Sequence, residues 1–337
     1  MATRSSQSPK QEPPLTMRAV VIAKAGPPEV LQIVDKPRPV PGRGQVLVNM
    51  RATTVSPLDC EARSGKVSRL LPVSRPDFLG HDVAGIIEAV GEGVTKPTVG
   101  TCVIGLRALQ HPGTYAEYVL LPADAVTPKP AALSFSAAAT LPLSGTVALK
   151  ALRDRGRLQS GQALLVNGAA GGIGCLAVQI GKAMGAAVIG VCSGDSCDLV
   201  ASLGADKAID FEKEDLASLT GNFDVVLDTS GQLTLEKCRK MLGPKGIFVP
   251  VVPSVRTLWD SFVGRFSDGP KTVPPPLSQP SRADLEWLCD LASQGKLRPV
   301  VDRVFPLEQA ADAHRRVEEG RPRGRVVLNI QNADQLA

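Results

Sequence analysis

The residues from Leu164 to Gln179 carry the most legible chemistry in the chain. Leu164, Leu165 and Val166 are apolar, like a buried strand. Asn167, Gly168, Ala169, Ala170, Gly171, Gly172, Ile173 and Gly174 turn through small residues, and Cys175 to Gln179 continue as an apolar helix. A chain shaped this way brings backbone N–H groups and a helix N-terminus against a pyrophosphate. The spacing Ala169-x-Gly171-x-x-Gly174 is GxGxxG with alanine at its first glycine. Gly171 lets the backbone approach the diphosphate, and Gly174 lets the helix pack on the sheet. The motif follows a strand, opens a helix and precedes a second βα unit, which separates it from an ordinary tight turn. It points to a dinucleotide and so to redox chemistry.

The second strand of that unit ends at Val191, Cys192 and Ser193. Enzymes using NAD commonly place Asp or Glu there to bond the ribose hydroxyls. A serine hydroxyl donates to a 2′-phosphate that a carboxylate would repel, so the loop favours NADPH, with NADH as the alternative. Two facts oppose this: Asp195 lies just beyond, and no Lys or Arg occupies 192–198. Asp195 reads equally as a ribose ligand and as a turn residue after Gly194.

The elements that must position this turn are set by the rest of the chain. Its 337 residues suggest about two domains, each with its own core. Hydrophobic residues make up 43% and charged residues 21%, ordinary for a globular enzyme. The net charge of +5 is mild, and no basic cluster interleaves with aromatics, which argues against nucleic acid. No run of about 18 apolar residues predicts a transmembrane segment. Residues 1–16 are rich in Ser, Pro, Gln and Lys and lack an apolar core, so they read as a disordered leader rather than a secretory signal. Seven cysteines at irregular spacing form no CxxC pair and read as reduced, mostly buried thiols. A cytoplasmic location is expected, with an organelle as the alternative.

Residues 17–133 read as β-rich: Met17–Lys24, Gln45–Thr54 and Val83–Ala89 carry β-branched runs punctuated by Pro and Gly, arguing for a compact antiparallel core. Ser134–Leu152 is Ala/Leu-rich and helical. Strands and helices then alternate: Ala163–Val166, a helix to Met184, Ala187–Cys192, a helix to Leu203, Val225–Leu227, a helix around Leu233–Leu242, and Gly246–Val252. This is the pattern of a doubly wound parallel sheet, and Gly185 and Gly204 stand where helices stop. Residues 253–282, with Pro274, Pro275, Pro276 and Pro280, read as a surface loop or flap over a cleft. Residues 283–330 supply a helix (Asp284–Ser293), an extended Val300–Phe305, a helix (Leu307–Glu319) and a last strand (Arg325–Ile330).

The ordered landmarks carry a resemblance. They are Ser56-Pro57-Leu58-Asp59 with Arg63 and Gly65; Phe78-Leu79-Gly80-His81-Asp82; Gly113-Thr114-Tyr115-Ala116-Glu117-Tyr118; Leu141-Pro142-Leu143-Ser144-Gly145; Leu203-Gly204-Ala205-Asp206; and His314 to Gly320 with Arg323-Gly324-Arg325. From about Met17 to Ile330 the chain resembles the zinc-free quinone oxidoreductase branch of the medium-chain dehydrogenase/reductase superfamily. The resemblance implies an α/β architecture: a GroES-like, β-rich catalytic domain (17–133 and 283–330) and an inserted Rossmann domain (134–282), with the active site in the cleft between them.

The resemblance also implies site residues. Zinc-dependent members take their catalytic ligands at the positions of Ser56, His81 and about Leu141. Only His81 is a donor of the usual kind, so no metal is expected. Without a Lewis acid, alcohol oxidation is disfavoured, whereas hydride donation to a quinone or an α,β-unsaturated carbonyl needs only positioning and a proton. Ser56 stands where related reductases usually carry Asn. Asp59 either orients that polar group or caps the following turn. Phe78 and His81 are candidates for the substrate wall, as are Trp259, Phe262 and Phe266, which could equally form the buried face of a short helix. Tyr115 and Tyr118 do not occupy the proton-donor position of enoyl reductases, leaving water or Ser56 as the proton route. Cofactor contacts are expected from Pro142, Val147, Ala169, Ala170, Gly171, Gly172, Ile173, Gly174, Ser193, Ser196, Phe211, Thr229 and Ser230. Arg325 is either a basic residue near the cofactor or a surface salt bridge. Relatives pair as homodimers through an edge strand, here Gly246–Val252. Two other readings stay open: a dinucleotide-binding regulatory or scaffold protein with little catalysis, and a zinc alcohol dehydrogenase.

Overall fold

The computed structural model describes residues 15–66, 78–216, 219–264, 268–320 and 322–331. The expected leader falls almost wholly outside them, as does Phe266, and Thr16 already belongs to a strand. That strand, β1 (Thr16–Ile22), pairs antiparallel with β2 (Leu31–Pro37) as a separate ribbon. Next come β3 (Gln45–Val55), helix α1 (Pro57–Ser64), β4 (Asp82–Val90), β5 (Cys102–Leu106), β6 (Tyr118–Pro122) and β7 (Val126–Pro128). Two helices, α2 (Phe135–Ala138) and α3 (Pro142–Lys150), lead through a π turn to the alternating segment.

That segment runs β8 (Ala163–Asn167), α4 (Gly172–Ala183), β9 (Ala187–Cys192), α5 (Cys197–Ser202), β10 (Lys207–Asp210), β11 (Phe223–Asp228), α6 (Leu235–Cys238), β12 (Leu242–Pro250), α7 (Val255–Val263) and β13 (Lys271–Thr272). The chain closes with α8 (Arg282–Ser293), β14 (Val301–Pro306), α9 (Ala310–Glu318) and β15 (Arg325–Asn329).

The expected parallel sheet is present, in the order β10-β9-β8-β11-β12-β13. Its central strands are buried on both faces: Leu164 and Val166 join one core with α4 and α8, while Leu165 joins the other. A strand covered on both sides must be apolar throughout, which is why β8 shows no alternation. The second sheet runs β14-β15-β3-β4-β5-β7, with β6 also pairing β3. Its pairs are antiparallel except β14 with β15. The last strand returns to pair with β3, setting Val326 opposite Val55.

Several expectations need correction. β10 is an additional strand, only four residues long. The helix expected over Leu233–Leu242 shrinks to α6, because Leu242 already opens β12. The stretch 253–282 contains α7, started by a capping box between Ser254 and Thr257, and β13; the proline run itself is neither helix nor strand. β12 is not the free edge, since β13 pairs with Ile247 and Phe248. The helical stretch Phe135–Arg155 is long and apolar enough to cross a bilayer, but most of it is buried inside the molecule, as in a core helix.

Burial has a titratable consequence in α9. His314 is fully buried, its Nε2 lies 3.3 Å from the Tyr115 hydroxyl, and desolvation pushes its pKa down to about 4. The unfolded chain therefore binds a proton between about pH 4 and 6.5 that the folded one does not, so stability rises with pH through that window. Between pH 7.5 and 5 this residue should remove roughly 2 kcal/mol of unfolding free energy. In urea titrations His314→Gln should be less sensitive to that pH change than the wild type. Equal sensitivity of the two would contradict the assignment.

Candidate active site

The parallel sheet changes winding direction at β8, which has β9 on one side and β11 on the other. A crevice is expected outside the carboxyl ends of such strands. A cavity of about 940 Å³ opens there, walled by both sheets. Ala170, Gly171, Gly172, Ile173, Ser193, Ser196, Phe211, Thr229, Ser230 and Arg325, all among the expected cofactor contacts, line it. Ala169, Gly174, Pro142 and Val147 are not in its wall. Ala169 is buried in the core, Pro142 starts α3, and Val147 packs with Leu106 and Leu143.

The turn itself is shaped for a diphosphate. Gly171 caps α4 with no side chain on its amides, and the first helical bond is donated by Cys175 to the Gly171 carbonyl at 2.9 Å. The amides of Gly172, Ile173 and Gly174 precede that bond and so lack intrahelical acceptors. The turn is held from behind by the second sheet: the Gly324 amide donates to the Ala170 carbonyl at 2.8 Å, and a Cβ on Gly172 would lie 2.2 Å from Cδ of Arg325. These residues fit the diphosphate of a dinucleotide, with bare backbone, an open helix start and a crevice of sufficient volume.

The floor is a polar network that sequence motifs only half revealed. The Asp228 carboxylate accepts from the Asn167 amide at 2.9 Å, from the Ser230 hydroxyl at 2.8 Å and from the backbone amides of Ser230 and Leu233. The Thr229 hydroxyl donates to the Asn167 carbonyl at 2.8 Å. At the other end, the Ser193 and Ser196 hydroxyls are 3.4 Å apart. Asp195 is exposed, and Arg323, arriving from the chain's tail, lies 3.9 Å from its carboxylate. A cation thus stands beside this loop from well over a hundred positions away, although Arg323 does not itself line the cavity.

Ser56 and Asp59 form a capping box at the start of α1. The Ser56 hydroxyl donates to Asp59 Oδ2 at 2.5 Å, and the Gly80 amide donates to Oδ1 at 2.9 Å. Asp59 therefore performs both of the roles left open for it: it caps the turn and orients Ser56. It turns the hydroxyl inward, although the flanking Val55 and Pro57 line the cavity. His81 is buried with its Nδ1 3.7 Å from Asp59 Oδ1, and neither ring nitrogen has a hydrogen-bond partner.

Arg325 is neither a cofactor side chain alone nor a surface ion pair. It is 6% exposed, and its guanidinium donates to the Thr54 hydroxyl and, at 3.2 Å, to Asp82 Oδ2. Asp82 also accepts from the Thr54 hydroxyl and, at 2.6 Å, from the Leu143 amide in the first turn of α3. Burial holds the Asp82 carboxyl above its ordinary pKa, against the opposing pull of Arg325, Thr54 and the Leu143 amide. One carboxylate thus ties β3, β4 and β15 to the helix that enters the parallel sheet.

The aromatic substrate wall is corrected. Phe78 pairs with Val21 of the β1–β2 ribbon and sits under the Lys36 ammonium; neither it nor His81 lines the cavity. Trp259 and Phe262 lie on the exposed face of α7. An aliphatic cluster lies behind the cavity instead: Leu106, Leu143 and Val147 pack with Leu109, Ile173 and Val251, and of these only Ile173 lines the cavity. Leu143 and Val147 lie four residues apart on α3 and Ile173 in the first turn of α4, all in segments the sequence singled out, whereas Leu106, Leu109 and Val251 carry no motif.

With this geometry in place, comparison with known proteins is informative. Residues 42–131 match the alcohol dehydrogenase GroES-like domain, and residues 203–328 match a family described as zinc-binding dehydrogenase. The 2-methylene-furan-3-one reductase of Solanum lycopersicum is 35% identical over 85% of this chain and 71% of its own length. The mitochondrial NAD(P)H oxidoreductase RTN4IP1 of Mus musculus is 31% identical, covering 93% of this chain and 89% of its own. The solved quinone oxidoreductase of Coxiella burnetii superposes with a TM-score of 0.83 at 31% identity, over 94% of this chain and all of that one. The chain belongs to the quinone-oxidoreductase-like branch of the medium-chain dehydrogenase/reductase superfamily. It is an oxidoreductase with a GroES-like unit and a nicotinamide dinucleotide-binding sheet.

The zinc in that family description does not fit these residues. Among the described residues no three His, Cys, Asp or Glu side chains come together to hold a metal ion. The donor set at the usual place is the inward-turned Ser56 hydroxyl and His81, and zinc requires three or four strong ligands.

Proposed function

We propose that this chain transfers hydride from NADPH to quinones or α,β-unsaturated carbonyls without a metal. The observation that carries this reading is the bare glycine turn on α4, which opens into the cavity at the point where the parallel sheet changes direction. Ile173 lines the cavity beside that turn and packs behind on the aliphatic cluster of Leu106, Leu143 and Val147. The names of the tomato and Coxiella relatives describe an enone reductase and a quinone oxidoreductase, which supports the acceptor class.

Bound in the crevice, the reduced dinucleotide supplies the hydride. The protein's own residues position and exclude water. The amides at the start of α4 hold the diphosphate, Asn167, Thr229 and Ser230 fix the floor, and Ile173 gives the acceptor an apolar neighbour. Ser193 and Ser196 line the cavity and Arg323 lies beside the same loop, which supports NADPH over NADH. Tyr115 is buried with its hydroxyl against His314, so the proton comes from solvent or from Ser56 after it rotates away from Asp59.

Calorimetry should show NADPH binding at least tenfold tighter than NADH, about 1.4 kcal/mol, and the purified chain should oxidise NADPH with quinones and enones. Ser56→Ala should lower kcat while leaving NADPH affinity unchanged. Cofactor binding without turnover of any acceptor would instead support the scaffold reading, which the inward-turned Ser56 hydroxyl favours.

We further propose that the chain divides functionally at 133/134 and 282/283, and that it pairs two-fold along the β12–β13 edge. A monomer at every concentration in sedimentation velocity would exclude that pairing. We assign the chain to the cytoplasm; the mitochondrial relative keeps an organelle open, and imaging of the tagged full chain decides.

A further inference from the structure

Two thiols meet at the rim of the cofactor cavity. Cys192 ends β9 and lines the cavity; Cys197 opens α5. Their Sγ atoms are 3.7 Å apart, and among the described residues no other two thiols are in such contact. The intervening loop carries Ser193 and Ser196, the hydroxyls assigned to the 2′-phosphate. Cys192 is 3% exposed and meets solvent through the cavity, whereas Cys197 is partly exposed.

We propose that Cys192 and Cys197 are a redox-sensitive pair whose disulfide disables the cofactor site, a regulation that rests on the cavity being the NADPH site. A disulfide needs its sulfurs about 2.05 Å apart, so closure draws them together by roughly 1.7 Å. That movement pulls the start of α5 toward β9 and shifts the serine loop. The oxidant class is a hydroperoxide. The Cys197 sulfur attacks the distal peroxide oxygen, the O–O bond breaks, and the leaving oxygen departs as water or alcohol with a proton, giving the sulfenic acid. The Cys192 sulfur then attacks the Cys197 sulfur; the S–S bond forms, the S–O bond breaks, and hydroxide leaves as water with the Cys192 proton. The two thiols lose two electrons and two protons, and the peroxide gains them. Burial pushes the Cys192 thiol up to about 12, so it serves as the resolving partner rather than the first nucleophile. NADPH in the cavity covers Cys192 and so slows bridging. Because closure shifts the serine loop, the bridged form binds NADPH more weakly, and by linkage bound NADPH disfavours the bridge by the same factor.

The test treats the reduced full-length protein with hydrogen peroxide, with and without saturating NADPH. Thiol counting, peptide mapping under non-reducing conditions and NADPH calorimetry are the readouts. The expected result is a mapped 192–197 bridge, formed at least tenfold more slowly with NADPH present. The bridged protein should bind NADPH at least tenfold more weakly, and dithiothreitol should restore the affinity. Cys197→Ser, or Cys197→Ala if the serine misfolds, should keep its NADPH affinity through the same treatment. A bridge to another cysteine, sulfinic acid at Cys197 without a bridge, or a bridged protein with undiminished affinity overturns the proposal. A reduced chain that ignores NADPH overturns the reading of the cavity instead, a result separable because mapping reads the bridge without the cofactor.

Discussion

Arg325→Met is expected to lower the unfolding free energy by about 3–5 kcal/mol, the usual effect of stripping one partner from a buried ion pair. Asp82 is 1% exposed and would keep only the Thr54 hydroxyl and the Leu143 amide as partners. The loss comes mainly from the carboxylate left behind, so removing that charge should recover much of it. Asp82→Asn combined with Arg325→Met should be more stable than Arg325→Met alone, a non-additivity that a double-mutant cycle measures. The pH dependence has a definite sign. Without Arg325, the folded-state pKa of Asp82 rises further above its unfolded value. The native state then holds a proton that the unfolded chain releases, so stability falls as pH rises through that interval. Urea titrations of Arg325→Met should thus show a smaller deficit at acid pH than at neutral pH. A deficit under 1 kcal/mol, or additive single and double variants, would show that the pair is not what braces β15 against β4 beneath α3.

That junction also shows where sequence reading stopped. The glycine turn was legible because its context is local: an apolar strand, small residues and an apolar helix within sixteen positions. The parallel sheet was legible from alternation over about a hundred residues. β10 was missed because Lys207, Ala208, Ile209 and Asp210 are too few to show a period. α7 stood only as one of two alternatives, a short helix or a flap, because the neighbouring prolines outweighed the cap that Ser254 and Thr257 form. Arg325 and Asp82 lie 243 positions apart, and neither carries a local mark of burial. The same distance hid Arg323 beside Asp195. The opposite error occurred at Phe78, Trp259 and Phe262: aromatic type suggested a substrate wall, but the ribbon and the exposed face of α7 hold them. Ser56-x-x-Asp59 is itself a capping-box spacing, so the inward turn of the Ser56 hydroxyl was partly readable.

Gly174→Ala should weaken NADPH binding by about a hundredfold, near 2.7 kcal/mol, and also destabilise the fold by about 1–3 kcal/mol. A Cβ at 174 would lie 2.1 Å from the Gly168 carbonyl oxygen and 2.8 Å from Ala169 Cα. Both are backbone atoms of the turn, so relief requires α4 to move away from β8. Because Gly324 and Arg325 hold the turn from the opposite side, that movement also strains the contact with the second sheet. Gly171 provides the contrast. There a Cβ would lie 3.4 Å from the Gly168 oxygen, an ordinary contact, and among the described residues none beyond its chain neighbours comes closer. Gly171→Ala should leave thermal unfolding nearly unchanged but place a methyl group where the diphosphate must approach, so NADPH affinity alone should fall. The two glycines thus separate helix packing from ligand approach, roles that the motif assigns but cannot distinguish by spacing. If Gly171→Ala bound NADPH as tightly as the wild type, the diphosphate would not pass close to Gly171 on its way to the amides that open α4. If Gly174→Ala unfolded at the wild-type temperature, the close packing of α4 on β8 would not be what fixes the turn.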